Sequence, residues 1–302
     1  MIPKEKALKM IAIYMYISDL YEKELKYHCQ RFSNNAKPVF TDVEILTIYL
    51  FVVSEQRGMS VKEIYSFTKD YWLSWFPKLP SYQAFNDRLN KLAPVWQQLV
   101  KTILISFVPS DCNTDVSLVD SFPIVTCKGR NRKGKVAREI TDKGYCSTKN
   151  MHYYGLKLHN LGFRRKGTIP FPEMMALSPA SANDYKVFVQ EFDPYLYNKT
   201  VFADKIYIDN EFFSIKEITQ NYKIYTPVKL VKGEPECLRM RDKAANDLLS
   251  QAVSSVREPI ESFFNWINAK TKIQTAQTVR STAGLLVHVF AKIAAAFIYL
   301  IF

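Results

Sequence analysis

Three acids in this chain lie where an acid is costly. Asp120 interrupts the apolar run "SLVDSFPIV", Asp204 falls near the end of "TVFADKIYI", and Glu261 lies in "SSVREPIESFFNWINAK". An ionised carboxylate in such surroundings needs a protein cation, a metal ion or water to hold it. In the third segment Val256, Ile260, Phe264 and Ile267 recur at helical spacing, and Arg257 precedes Glu261 by four residues, so the two can share a helix face. Two strand aspartates and a helix glutamate supply hard oxygen donors of the kind that suits Mg²⁺ or Mn²⁺. A pair of such ions about 3.5–4 Å apart can clamp the attacking and leaving oxygens of a phosphoryl transfer. Spacing alone does not bring the three together, and each reads equally well as a solvated or salt-bridged acid.

The run holding Asp120 opens directly into a basic loop. Between Lys128 and Lys149 there are eight Lys and Arg, among them Arg130, Arg132 and Lys133, against the two acids Glu139 and Asp142. Such a loop either holds nucleic-acid phosphates or is simply solvated. The whole chain carries 41 Lys and Arg against 29 Asp and Glu, a formal charge of +12, which favours a polyanionic partner. Five scattered cysteines without a C-x-x-C pair point to reduced thiols and a cytoplasmic setting. Cys127, Cys146, His152 and His159 fit none of the usual zinc spacings.

The elements that must position these residues fall into two parts. Residues 1–112 read as an all-α domain. Thr41 with Glu44 and Ser60 with Glu63 are capping boxes, and a third helix start follows at Ser81. Gly58 sits between the first two of these helices. Such a set permits a helix-turn-helix with Arg88 and Lys91 on its polar face, or a plain bundle whose polar face is solvated. The turn-rich "VPSDCNTDV" marks the boundary, and residues 113–302 form the second domain. There "VSLVDSF", "MHYYGLKLHNLGF", "IPFPEMMALSP", "KTVFADKIYI" and "YKIYTPV" read as strands, the later ones alternating with helices. This is an α/β fold with a mixed sheet flanked by helices. The N-terminal segment lacks the pattern of a secretion signal. "AGLLVHVFAKIAAAFIYLIF" is long enough to span a membrane, but His288 and Lys292 interrupt it, and it is expected as a terminal helix buried against the sheet.

From "LVDSFPIVTC" through "GYCSTKNMHYYGLKLH", "VFADKIY" and "REPIESFFNWI", the chain resembles the DDE transposases of bacterial insertion sequences. It is similar to the subfamily with D-S-F-P-x-x-x-C, then G-Y-x-x-S/T-K…Y-G-x-K-x-H, D-K-x-Y and I-E-[ST]-x-F, in the same order over about residues 117–270. "TDVEILT" and "FPKLPSYQAFNDRL" match that subfamily's N-terminal region. The resemblance implies an RNase H-like core in which Asp120, Asp204 and Glu261 are catalytic and hold two Mg²⁺ or Mn²⁺ ions. Asp209 and Glu258 are the rivals. Asp204 is preferred because it precedes Lys-x-Tyr, and Glu261 because it stands between Ile260 and Ser262. Also implied are DNA contacts from the basic loop and from Tyr145, Lys149, Lys157, His159 and Arg257. The partners would be the terminal inverted repeats of an element and target DNA, with a homodimer on paired ends and no membrane. The activity would be cleavage at element ends followed by strand transfer. Ile206 replaces the usual Gly of D-K-G-Y, and Pro259 falls inside a helical pattern, where it either starts or kinks the helix. Those departures keep two alternatives open: a DNA-binding remnant without catalysis, and a nuclease that hydrolyses without joining.

Overall fold

The computed structural model describes residues 3–30, 38–130, 134–147, 149–229, 233 and 235–302. Its elements run α1 (Lys4–Lys23), α2 (Asp42–Glu55), α3 (Val61–Tyr71), α4 (Tyr82–Lys91), α5 (Ala93–Ser106), β1 (Cys112–Lys128), β2 (Asp142–Cys146), β3 (Met151–Arg165), β4 (Phe171–Pro179), α6 (Asp184–Glu191), β5 (Lys199–Phe202), α7 (Asn210–Gln220), β6 (Tyr222–Tyr225), α8 (Glu236–Arg257), α9 (Pro259–Thr271) and α10 (Thr282–Ile301). They form two compact units. One comprises residues 1–107, 135–139 and 266–302, the other residues 108–134 and 140–265. A single boundary near residue 112 therefore does not describe the division: the chain's last helix belongs with the N-terminal helices.

In the sheet unit, six strands lie in the order β2-β3-β1-β5-β6, and β4 also pairs with β3. One edge of β3 is shared by β2, along 151–155, and β4, along 156–163, while its other edge is antiparallel to β1. β1 then pairs in parallel with β5, and β5 with β6. Antiparallel strands followed by parallel ones reached through helices give the mixed α/β arrangement of an RNase H-like core. Alternation along β1 assigns its faces. Val119, opposite Leu161, joins Val201, Ala203, Phe188, Phe213 and Tyr222 in one apolar cluster. Leu118, Asp120 and Phe122 point the other way, where Phe122 stacks on Phe264 of α9 with ring centroids 5.1 Å apart.

The helical unit is built on α2. Both capping boxes are formed, with Thr41 N–H donating to Glu44 Oε2 at 2.6 Å and Ser60 N–H to Glu63 Oε2 at 2.7 Å. From Ile45 to Val53 every side chain of α2 is buried, so the helix is apolar all round and must be covered on every side. The Leu92–Pro94 stretch divides the third helical run, because Pro94 fits only the first turn of α5. α10 is long and apolar enough to cross a membrane, yet most of it is buried. It packs on α2 and α5 rather than on the sheet, because those helices carry the uncovered apolar surface.

That burial includes two titratable groups. His288, bonded to the Ile273 carbonyl oxygen at 2.8 Å, is pushed down to about 3 by burial and by Lys292. Lys292, 6% exposed, is pushed down to about 7 by burial and then by Lys272. The unfolded chain keeps the Lys292 proton up to its ordinary value of 10.5, while the folded protein releases it near 7. The penalty on folding is therefore full below about pH 7 and fades as pH rises toward 10.5. Lys292→Met is expected to stabilise the protein by about 1–3 kcal/mol at acidic pH. Urea denaturation should show a larger gain at pH ~6 than at pH ~9, and an equal gain at both would exclude the ammonium as its source.

Candidate active site

β1 carries Asp120 to the helix-covered face of the sheet, where its side chain is 23% exposed. Oδ1 accepts the Ser121 N–H at 2.8 Å, and Oδ2 accepts Arg257 Nη1 at 2.7 Å. Burial pushes its carboxyl up to about 6; Arg257 and the Ser121 N–H oppose the rise, and the charges of Asp204 and Glu261 add to it. Arg257 closes the arrangement by donating from Nη2 to Glu261 Oε1 at 2.7 Å. Burial works against the guanidinium, yet Asp120, Glu261 and Asp204 hold its pKa above the usual arginine value.

The bridge spans an interruption in the helix. α8 ends at Arg257, and α9 begins at Pro259, which lacks the N–H a continuous helix would need. Pro259 thus starts a helix rather than kinking one. Arg257 falls in the last turn of α8 and Glu261 in the first turn of α9, each at the helix end that favours its charge.

Asp204 reaches the same neighbourhood from β5. The parallel register pairs Leu118 with Phe202, and two residues further along each chain come Asp120 and Asp204. Neighbouring strands lie about 4.8 Å apart. The strand ends at Phe202, earlier than the sequence suggests, so Asp204 stands exposed at the start of the 3₁₀ turn Lys205–Tyr207. Asp209 is committed elsewhere: it caps α7 through the Phe212 N–H at 3.0 Å and accepts the Tyr185 hydroxyl at 2.6 Å. Glu258 is exposed at the end of α8.

Among the described residues, no three His, Cys, Asp or Glu side chains form a group that could hold a metal ion: neither Asp120 with Asp204 and Glu261 nor Cys127, Cys146, His152 and His159 are gathered in that way. The cation that Asp120 and Glu261 hold is the guanidinium of Arg257. The donors are nevertheless of the hard oxygen type a divalent ion requires, and they already gather positive charge.

The remaining sequence-derived residues divide. Lys128, Arg130 and Lys149 are exposed, and Lys149 Nζ lies 5.9 Å from the centroid of Phe122, two residues from Asp120 on the same face. Tyr145 is exposed and donates to Asn150 Oδ1 at 2.8 Å. Arg132 and Lys133 lie outside the described residues. Lys157 is tied to Asp184 at 2.8 Å and to the Ala182 carbonyl oxygen at 2.9 Å. His159 is buried, bonded to Ser178 Oγ at 2.8 Å and pushed down to about 4 by burial, so its ring is neutral and occupied within the sheet. In the helical unit, Arg88 Nε donates to the buried Asp42 at 2.6 Å and Nη2 to the Cys29 carbonyl oxygen at 3.1 Å, while Lys91 is exposed.

Two features were not visible in the sequence. Asp184 gathers Lys157 and the Ser121 hydroxyl at the start of α6. Asn160, fully buried, pairs across the sheet with Asp120, and neither its side-chain oxygen nor its nitrogen has a partner among the described residues. Only strand register places it there.

The sheet is RNase H-like, and its first strand carries Asp120, joined through Arg257 to Glu261 of α9. Residues 111–298 match the family model described as the transposase DDE domain, and the chain belongs to that family. Members bind DNA and generally use divalent metal ions. No curated protein matches the chain.

Loss of the bridge should register in folding. Arg257→Leu leaves a half-buried Asp120 without its cation and is expected to cost about 1–3 kcal/mol, read by urea denaturation without divalent ions. Arg257→Lys should recover only part, since one ammonium lacks the planar fork that spans both acids. Wild-type stability in the Leu variant would show that the bridge does not stabilise the fold.

Proposed function

We propose that this transposase cuts DNA at the ends of its element and joins the freed 3′-hydroxyl to target DNA, using Asp120, Asp204 and Glu261 as its catalytic carboxylates. The observation that carries the reading is the Arg257 bridge, which draws Asp120 and Glu261 to one cation on the face where β5 delivers Asp204. The same three acids would hold Mg²⁺ or Mn²⁺, as a pair of ions. When bound, these supply Lewis-acid stabilisation of the phosphate and an activated water.

The protein's own groups do the rest. Arg257 offsets part of the negative charge of the acids, which lessens the repulsion an approaching polyanion meets. Lys149, beside Phe122, and the exposed Lys128 and Arg130 hold backbone phosphates near the carboxylates. The helical region adds DNA contacts through residues such as Lys91, and two copies work together on paired ends. The buried, hydrogen-bonded His159 and the ion-paired, partly buried Lys157 and Arg88 support a framework role for these three.

Asp120→Ala, Asp204→Ala or Glu261→Ala should each lower Mg²⁺-dependent cleavage of an element end by more than about 100-fold, the loss that outer partners of a metal ligand can cost by themselves. Gel-shift binding to the same DNA should persist. Retained cleavage in one variant would remove that residue from the mechanism. Joining of a labelled end to a second duplex separates transposition from plain hydrolysis.

A further inference from the structure

The helical unit contains a groove of about 570 Å³ where residues from three separate stretches of the chain meet. Its walls include four cations: Lys62 from the first turn of α3, Lys272 just after α9, Arg280 just before α10, and Lys292 from within α10. The acid among them, Glu63, has its carboxylate turned onto the Ser60 N–H in the capping box. The groove is thus strongly positive.

Lys292 is the informative member. Its side chain is 6% exposed, and its ammonium reaches only the Lys272 carbonyl oxygen, at 3.4 Å. Among the described residues no carboxylate pairs with it, and its charged neighbour is another lysine. An ammonium this deeply buried is costly unless an anion compensates it. The backbone adds to the field, because α3 directs its N-terminal end into the groove. Ser60 Oγ satisfies the Glu63 N–H, and the other amides of a first helical turn, here those of Val61 and Lys62 on the groove wall, have no partner within their helix. The side chain of Lys272 is guided in by Gly58, where a Cβ would come within 2.4 Å of its Cδ. At the start of α10 a carboxylate, that of Glu139, already accepts from the Thr282 hydroxyl.

We infer that this groove is a binding site for a backbone phosphate of DNA, held by Lys272, Arg280 and the buried Lys292 at the N-terminal end of α3. Its size admits a phosphodiester with an adjoining sugar, more than an isolated anion requires. The inference uses the DNA-binding character of the family and is independent of the carboxylate site.

The test is the salt dependence of DNA binding by the full chain, measured without divalent ions by anisotropy of a labelled duplex of arbitrary sequence. Losing the contact with one phosphate should make the slope of log K against log salt shallower by about 0.9. Lys292→Met and the surface double variant Lys272→Gln/Arg280→Gln should both show that change with unaltered circular dichroism. Lys23→Gln, on an exposed pair with Asp19 in α1, should leave the slope as in the wild type. An unchanged slope in the surface double variant would overturn the proposal, independently of how Lys292→Met behaves. Inorganic phosphate supplies the second arm. Should millimolar phosphate raise the melting temperature of the wild type but not of the variants, with the slope unmoved, the groove takes a free anion and the DNA assignment is wrong. Asp120→Ala should bind with the wild-type slope, so failure of the catalytic reading would be seen separately.

Discussion

A single guanidinium ties the central strand of the sheet unit to the helix that covers it. Arg257 spans from Asp120 in the central strand to Glu261 in the following helix, and both bonds are 2.7 Å long. Asp120 would not sit comfortably alone: burial disfavours its charged form, and its acidic neighbours add to the effect. The guanidinium answers both acids at once because it is planar and forked, which an ammonium could not do. The helix break at Pro259 serves this contact by leaving Arg257 at one helix end and Glu261 at the next. A proline that looks like a defect in a helical pattern is, in the folded chain, what sets the two side chains at opposite helix ends.

Support for that face comes from the opposite side of the sheet. Val119, Val201 and Ala203 anchor β1 and the end of β5 in an aromatic-rich cluster, and this fixes the register that sets Leu118 against Phe202, each two residues before an aspartate. Since side chains alternate, a slip by one residue would drive the aspartate into the apolar cluster and turn the valine toward Arg257. At the start of α6, Asp184 ties Ser121 to Lys157, clamping β1 and β3 one residue beyond the aspartate. The lysine and histidine of the Y-G-x-K-x-H segment are thus explained by sheet construction, with Lys157 paired to Asp184 and His159 packed on Ser178.

Much of this was legible in the order of residues, and the parts that were not have physical causes. The strands around Asp120 and Asp204 announce themselves by β-branched and aromatic content, and the capping boxes at Thr41 and Ser60 mark helix starts that the structure contains. β2 is short and polar, so it carries no strand signal of its own and exists by pairing with β3. Arg88 looks like a solvent-facing base on a polar helix face, yet the buried Asp42, 46 residues away, claims it. Asn160 becomes visible only once the antiparallel register sets it against Asp120. Periodicity reports which face of an element is apolar; it says nothing about which distant element will cover that face.

For α10, covering a face from so far along the chain has a cost during synthesis. The apolar girdle of α2 is completed by a helix that begins 227 residues after its own last residue, Glu55 counted to Thr282. On a ribosome the N-terminal helices emerge long before their partner does, and they must wait with hydrophobic surface uncovered or guarded by other factors. Closing that loop late costs entropy and time, so maturation of the helical unit is tied to completion of the sheet unit's chain. A shortened product lacking the final helix would bear an intact sheet sequence and still be unable to finish its bundle.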